Sequence, residues 1–354
     1  MGEPRKIEPT KMVSCKMIYP NLIINSKNWN HINQIWIKKR LPHAFLFHGP
    51  KGSGKEGHAM ELAALLNCRE VDGIPCGDCP SCKKTKSFQN ENIKLILPLP
   101  RGKISSSSDP TIKAFKTEKD LNDYLSLLKE KSQDPYYNIQ VPNANTILIN
   151  SILEIKHDVS LSTVNNEWKI ILIFQAEKLC IPSPVAAHSL LKILEEPPNN
   201  TTIILVTDYK EQLSPTLLSR CQHIDFPPID QSTMRSYFVD IGIESELIPI
   251  LTEISQGDMH KVYSLFGKSK EEILGMMGEI VSLVFSEKAS SWRHFINEYS
   301  RLAYTNPTEF RFRVYLLQLW IWSIYKEKSG VRKNSFYFGK SIPNCIPVTG
   351  PWGA

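Results

Sequence analysis

Long apolar runs and a strong net charge are both missing from this sequence of 354 residues. No apolar stretch approaches the roughly 18 residues that a membrane-spanning helix needs. The amino-terminal segment also lacks an apolar core followed by a small-residue cleavage site. Lys and Arg number 42 against 36 Asp and Glu, a formal charge of +6, which excludes a histone-like protein but allows a local basic surface. We therefore expect a cytoplasmic protein without a membrane partner.

Cysteine, with eight copies, is the unusual feature of the composition. Half of these residues form one cluster, Cys68-x7-Cys76-x2-Cys79-x2-Cys82. Tetrahedral Zn(II) prefers four thiolates from tight turns, and an all-cysteine set leaves no open position for a substrate, so the predicted zinc site is structural. An iron–sulfur cluster is the competing interpretation, but its usual runs space the cysteines differently. The others are scattered and expected to be buried or free thiols: Cys15, Cys180, Cys221 and Cys345.

A glycine-rich segment follows a short apolar run and precedes a helical pattern. It has the phosphate-loop spacing G-x-x-x-x-G-K, with Gly49, Gly52, Gly54 and Lys55. In such a loop, backbone N–H groups and the lysine hold phosphates, and a following Ser or Thr binds magnesium. Glu56 takes that last position here and would place negative charge beside the phosphates. These glycines, with Lys55, thus predict a degenerate nucleotide site, and whether ATP or ADP binds there stays open.

Acidic residues are missing where a hydrolysing P-loop protein needs them. Such a protein ends an apolar strand with carboxylates that hold magnesium and activate the attacking water. The apolar strand 170–173 is followed by Phe174 and Gln175, and neither supplies a carboxylate. Glu177 lies beyond them in an expected turn and is interpreted as a solvated charge. These losses indicate a P-loop scaffold without hydrolysis of its own.

Strand and helix patterns alternate over roughly the first two thirds of the chain. The strands 169–174 and 202–207 are apolar on both faces, which is typical of a buried, mainly parallel sheet. The segment 98–142 is rich in Ser, Lys and Asp, holds one amphipathic helix pattern and is interpreted as an insertion. Residues 230–330 read as helices only, and the tail from Ser329 is expected to be irregular.

The most specific sequences are HSLLKILEEPP at 188–198 and Ser-Arg-Cys at 219–221. Together with the P-loop and the cysteine cluster, they closely resemble the bacterial clamp-loader AAA+ ATPases over about residues 25–228. Within that family the resemblance is to the delta-prime type first and to the gamma/tau type second. It implies an α/β fold with these domains: an AAA+ P-loop domain over 1–228 with a zinc module at 68–82, a helical lid over 229–270, and an all-α C-terminal oligomerisation collar over 271–354.

The resemblance also implies roles for single residues. In the family, the arginine of the Ser-Arg-Cys motif reaches the ATP site of the neighbouring subunit, so Arg220 is the expected arginine finger in trans. A guanidinium suits this role because it is permanently charged and forked, although Arg220 could instead be a helix-end residue paired with a carboxylate. Thr207 matches the sensor-1 position of the nucleotide site. His260 or Lys261 stands where active members carry a sensor-2 arginine.

The function that follows from the resemblance is that of a non-hydrolysing subunit in the DNA polymerase III clamp loader. Its expected partners are gamma/tau and delta subunits, the sliding clamp, and primed DNA as part of the complex. Two alternatives stay open at this point. One is a gamma/tau-like ATPase that uses Lys55, and the other is a zinc-containing DNA-binding protein. The stretch 76–86 has no dense group of basic residues beyond Lys83, Lys84 and Lys86, which favours a scaffold over a DNA reader.

Overall fold

The chain divides between Pro227 and Pro228 into two units, Met1–Pro227 and Pro228–Ala354. The computed structural model describes residues 17–69, 73–160, 168–263, 265–266, 268–286 and 288–329. Cys15, Cys345 and the tail after Ser329 lie outside these residues. The predicted division of the second unit into a lid and a collar stays a prediction.

A parallel sheet forms the centre of the first unit. In the described part of the chain it has five strands: β1 Ala44–His48, β2 Ile93–Ile96, β3 Lys169–Phe174, β4 Thr201–Thr207 and β5 Gln222–Asp225. Their order is β2-β3-β4-β1-β5, and the neighbouring strands pair in parallel. Parallel neighbours need crossover connections, which helices supply here. The predicted α/β fold with a parallel sheet is confirmed.

Helices cover the sheet of this unit. They are α1 Ser26–Ile37, α2 Lys55–Leu66, α3 Pro80–Lys86, α4 Glu118–Gln133, α5 Ile149–Ser160, α6 Val185–Glu195 and α7 Pro215–Leu218. Alternate strand residues such as Leu46, Ile173 and Leu205 share one buried cluster with residues of α5 and α6. Helix α2 contacts β1, β3 and β4 with residues outside that cluster. Since both faces of the sheet are covered, consecutive residues of its central strands are buried.

The segment 98–142 contains its predicted helix, α4. A capping box begins this helix, because Thr117 and Asp120 each accept a hydrogen bond from the backbone of the other. The segment is more than a surface addition, since Tyr136 and Ile139 are buried. The preceding strand β2 was not predicted, because four residues give too short a pattern. It forms by pairing with β3 at the edge of the sheet.

Among the described residues of the second unit, the regular secondary structure is helical. Its helices are α8 Gln231–Asp240, α9 Ile248–Ser255, α10 Met259–Tyr263, α11 Lys270–Val284, α12 Ala289–Thr305 and α13 Pro307–Lys328. Helices α11, α12 and α13 pack on one another, while α9 packs on α8 and α10. The predicted change from an α/β to an all-helical region is confirmed. Among the described residues, no helix is both long and apolar enough to cross a membrane.

Candidate nucleotide and metal sites

The glycine-rich loop connects β1 to α2 and has the geometry of a phosphate loop. Gly49, Gly52 and Gly54 have φ angles of 145°, 67° and 83°, a region that L side chains rarely adopt. Gly49 is also fixed by space, because a Cβ atom there would lie 2.0 Å from the carbonyl oxygen of Phe226. Gly54 precedes the first residue of α2, so the loop leads directly into a helix N-terminus, where phosphates bind in such loops.

Lys55 is buried and turned towards its own loop. Its Nζ atom donates to the carbonyl oxygens of Gly49 at 2.9 Å and Pro50 at 2.6 Å. It also lies 2.8 Å from Oδ1 of Asp208, an acidic partner that directly follows Thr207 and that no sequence motif marks. A phosphate would have to replace these contacts. The roles of Lys55 and the loop glycines in nucleotide binding stay predictions.

Glu56, which stands at the hydroxyl position of the loop motif, forms an ion pair with Lys131 of α4. The Lys131 side chain is fully buried, while that of Glu56 is 19% exposed. Lys131 lies 75 residues away in the chain, and no local pattern marks it. The carboxylate therefore already has a cationic partner supplied by the insertion.

The end of β3 departs from the expectation for Glu177. This side chain was predicted to be a solvated charge, and that prediction is wrong because Glu177 is only 4% exposed. Glu177 belongs to a 3-10 turn over Ala176–Leu179. Its Oε2 atom accepts a hydrogen bond of 2.6 Å from the hydroxyl of Thr207, the last residue of β4. Burial raises the pKa of the Glu177 carboxyl. Thr207, the expected sensor-1 residue, is thus engaged inside the chain and also accepts from the Tyr209 N–H at 3.0 Å.

Arg220 lies between α7 and β5, with 35% of its side chain exposed. Its Nη2 atom lies 2.8 Å from Oε1 of Glu195, and its Nη1 atom donates to the carbonyl oxygen of Thr216 at 3.2 Å. Glu195 is 51% exposed and belongs to the Glu-Glu-Pro-Pro run that ends α6. The carboxylate pairing considered from the sequence is therefore present. A surface pair of this kind contributes about 0–1 kcal/mol, so it can be exchanged for another partner at little cost.

The cysteine cluster has the geometry of a metal site. One Sγ atom each from Cys68, Cys76, Cys79 and Cys82 lies within 4.8 Å of the others. Backbone N–H groups point at the sulfur atoms, with Cys76 donating to Cys68, Cys79 to Cys76, and Cys82 to Cys79 over 3.3–3.4 Å. Such donors stabilise thiolates, the form that binds metal. These cysteines are close enough to hold a metal ion, and their soft, all-sulfur donor set fits Zn(II).

Thiol ionisation differs within the cluster. Burial opposes ionisation of Cys79, but hydrogen bonds from the backbone of Cys82 and Arg69 outweigh it and lower its pKa to about 7. Burial raises the pKa of Cys82. Of the scattered cysteines, Cys180 and Cys221 are free and half-buried. Burial raises the pKa of the Cys221 thiol to about 12, which disfavours the reactive thiolate form.

The residues His260 and Lys261, which the sequence resemblance compares with a sensor-2 position, lie in α10. Lys261 is half-buried there, and its Nζ atom lies 4.1 Å from the centroid of the Tyr315 ring. Burial lowers the pKa of this lysine. The backbone N–H of His260 donates to Oδ1 of Asp258 at 3.0 Å. A sensor-2 role for either residue stays a prediction.

Comparison with known proteins places these sites in a family. The model of a family described as "DNA polymerase III, delta subunit" matches residues 24–230. DNA polymerase III subunit delta' of Bacillus subtilis is 26% identical over 218 residues, which are 62% of this chain and 52% of that protein. Subunit tau of the same organism is 25% identical over 254 residues, 70% of this chain and 36% of that protein.

A solved structure of a gamma subunit-related protein from Thermotoga maritima covers 81% of this chain and 76% of its own, with a TM-score of 0.39 and 15% identity. The matched part of the chain spans about half or less of the length of the two Bacillus subtilis relatives. The family model, in contrast, covers more than half of this chain, including the P-loop, the cysteine cluster and Arg220. The chain belongs to the DNA polymerase III delta subunit family.

Proposed function

We propose that this chain is a delta-prime-like clamp-loader subunit that does not hydrolyse ATP and supplies Arg220 to the ATP site of a neighbouring gamma/tau subunit. It assembles with gamma/tau and delta subunits and helps to load the sliding clamp on primed DNA. Its similarity to a delta' subunit and to tau subunits supports a place in that complex. The helices of 271–354 would form the collar through which the subunits associate.

One asymmetry carries this proposal. Three positions that carry the residues of ATP chemistry in a hydrolysing chain are occupied here by Glu56, Phe174 and Gln175. Each of these side chains makes an internal contact instead. Arg220, which would serve a neighbour, is intact and partly exposed. A chain with this distribution can complete an ATP site on another subunit without turning over ATP itself. Any ATP or ADP held by the loop glycines, Lys55 and Thr207 would stay unhydrolysed.

A loader reconstituted with gamma/tau and delta subunits of the same organism tests the role of Arg220 in trans. We expect Arg220→Ala to reduce DNA-stimulated ATP turnover several-fold, because the adjoining site loses a charge that stabilises the transferring phosphoryl group. Arg220→Lys should also be impaired, since it keeps the charge but loses the fork. Arg101→Ala, which removes an exposed arginine elsewhere in the same unit, is the control and should leave turnover unchanged.

Glu195→Gln separates a role in trans from a structural role. If Arg220 acts only by pairing with Glu195 within the chain, this variant will reproduce the loss seen with Arg220→Ala. If Arg220 acts as an arginine finger, the loader should instead keep its ATP turnover when Glu195 is neutralised. Full turnover by the Arg220→Ala complex would refute the assignment. ATP turnover by the isolated chain that Lys55→Ala abolishes would show instead a gamma/tau-like ATPase.

The cysteine cluster serves this function as a structural Zn(II) site. Cys68, Cys76, Cys79 and Cys82 would close the metal shell and leave no position for a substrate. The site joins the end of α2 to α3, which begins at the Cys79-Pro80 step. Zinc here would fix the loop between these helices.

A further inference from the structure

One segment of the insertion, residues 131–139, lies against all three residues that differ from those of a hydrolysing P-loop site. These residues are Glu56, Phe174 and Gln175. Glu56 pairs with Lys131, whose Nζ atom also lies 6.0 Å from the centroid of the Phe174 ring. Gln175 donates from Nε2 to the carbonyl oxygen of Ile139 at 2.9 Å. These contacts join positions that lie far apart in the sequence, so the departures belong to one packed arrangement.

The ammonium group of Lys131 is fully enclosed by acceptors. Besides Glu56, it donates to the carbonyl oxygens of Pro135 at 2.7 Å and Tyr137 at 2.8 Å. An ammonium carries three N–H donors and no acceptor, and a buried one is stable only when paired and hydrogen-bonded. With these partners, Lys131 has no N–H left for a phosphate. It acts as a fixed internal cation.

Lys131 lies against the residues at two positions from which a P-loop enzyme holds its metal. The hydroxyl at the position of Glu56 and the strand-end carboxylate at the position of Phe174 are the groups that normally hold magnesium. Mg²⁺ needs near-octahedral oxygen ligands at about 2.0–2.1 Å, whereas the Phe174 ring offers none. A second cation would also be repelled by the Lys131 ammonium. The residues present do not fit a divalent metal.

We infer that residues 131–139 close the metal position of the P-loop, with Lys131 as a built-in cation, so that this site takes no divalent metal with or without nucleotide. Hydrogen bonds from residues near the start of the described chain also hold this segment in place. The Tyr19 hydroxyl donates to the Lys131 carbonyl oxygen at 3.0 Å, and the Ile23 N–H donates to the Tyr136 hydroxyl at 2.9 Å. The closure is therefore part of the folded core.

Mn²⁺ titration of the isolated full chain, followed by electron paramagnetic resonance, tests this inference. Removing the ammonium would free a carboxylate and two carbonyl oxygens, which are ligands that suit a hard divalent cation. We expect Lys131→Ala to bind one more Mn²⁺ per chain than the wild type, and Lys131→Ala/Glu56→Gln to return to the wild-type number. Lys129→Ala, which removes an exposed lysine of the same helix, should bind as the wild type does. No gain in Lys131→Ala, or a gain that persists without Glu56, overturns the inference.

A measurement on the wild type avoids dependence on the folding of a variant. With ADP and Mn²⁺ present, the amide signals of residues 54–57 should keep their linewidths in nuclear magnetic resonance spectra. Selective paramagnetic broadening of these amides would show metal in the loop and overturn the inference. The inference rests only on the non-hydrolysing part of the proposed function. Failure of the Arg220 experiment would leave the Mn²⁺ result unaffected.

Discussion

Two buried side chains of α2, His58 and Glu61, have pKa values displaced in opposite directions. The His58 Nε2 atom accepts from the Asn25 N–H at 3.0 Å, and its Nδ1 atom lies 2.8 Å from the Gly54 carbonyl oxygen, so the ring fits as a neutral tautomer. Burial lowers its pKa to about 4. Glu61 accepts from the backbone N–H groups of Ile18 and Tyr19, and burial raises its pKa to about 7.

These displacements have opposite effects on the pH dependence of stability. Unfolded chains bind a proton at His58 more readily than the folded protein does, so this residue costs stability as the pH falls from 6.5 towards 4. Glu61 binds its proton more readily in the folded protein, so it costs stability as the pH rises from 4.5 towards 7. Between about pH 4.5 and 6.5 the two contributions oppose each other.

Glu61→Gln should unmask the contribution of His58. We expect the urea midpoint of this variant to fall more steeply than that of the wild type when the pH is lowered from 6.5 to 4.5, because the compensating carboxyl is gone. Urea unfolding over a series of pH values measures this. Glu211→Gln, at an exposed position, should follow the wild-type profile. Parallel profiles for Glu61→Gln and the wild type would contradict the assignment.

Single residues show where sequence reasoning succeeds and where it stops. Gly49, Gly52 and Gly54 were recognised because their spacing is local and reflects backbone conformation. Glu177 was misjudged because its partner Thr207 lies 30 residues away and is brought close only by the pairing of β3 with β4. Nothing in the sequence around Lys131 marks this residue as buried. Lysine is rarely buried without a partner, and its partner Glu56 lies 75 residues away in the chain.

The loop that carries the cysteines can be tested as a structural element. Cys82→Ser should lose the bound metal and destabilise the region between α2 and α3, because a three-thiolate shell no longer closes around zinc. Metal analysis of chelator-free preparations is expected to give one zinc per wild-type chain and much less for this variant. Cys221→Ser removes a cysteine outside the cluster and should retain the full amount. A wild-type chain without zinc would refute the site.

Elements differ in how far their own sequences predict them. The sequence predicts helix α4 through its amphipathic pattern, while its capping box was recognised only in the structure. The strand β2, in contrast, is four residues long and is defined by its neighbour β3. Composition predicts that the segment 131–139 belongs to a polar insertion, whereas in the structure its Lys131 pairs with Glu56 of the P-loop helix. Its contribution arises from tertiary contacts, which composition does not reveal.

The whole molecule exposes an apolar surface on α13. Ile321 and Trp322 are each 47% exposed, and Tyr325 is 59% exposed. Trp322 and Tyr325 stack with their ring centroids 5.5 Å apart. Exposed aromatic side chains grouped in this way are typical of interaction surfaces. This surface suits the association with other subunits that the proposed function requires.

Trp322→Glu should therefore impair assembly while leaving the isolated chain folded. A charge on this surface would have to be buried without a partner when the subunits associate. Analytical ultracentrifugation of mixtures with gamma/tau and delta subunits measures the loss, and thermal unfolding of the isolated chain checks its stability. Tyr304→Glu alters a 90% exposed aromatic residue of α12 and should assemble normally. Normal assembly of Trp322→Glu would exclude this face from the interface.

The pairing of Lys131 with Glu56 also bears on how the protein evolves. Serine at position 56 would leave a buried ammonium without its carboxylate, and breaking such a pair costs about 3–5 kcal/mol. Replacing Lys131 first would leave the carboxylate unpaired, and neither step alone restores a carboxylate at Phe174. Either of these single changes at positions 56 and 131 is therefore expected to cost stability. If the proposed closure holds, a magnesium site at this P-loop would therefore need several substitutions made together.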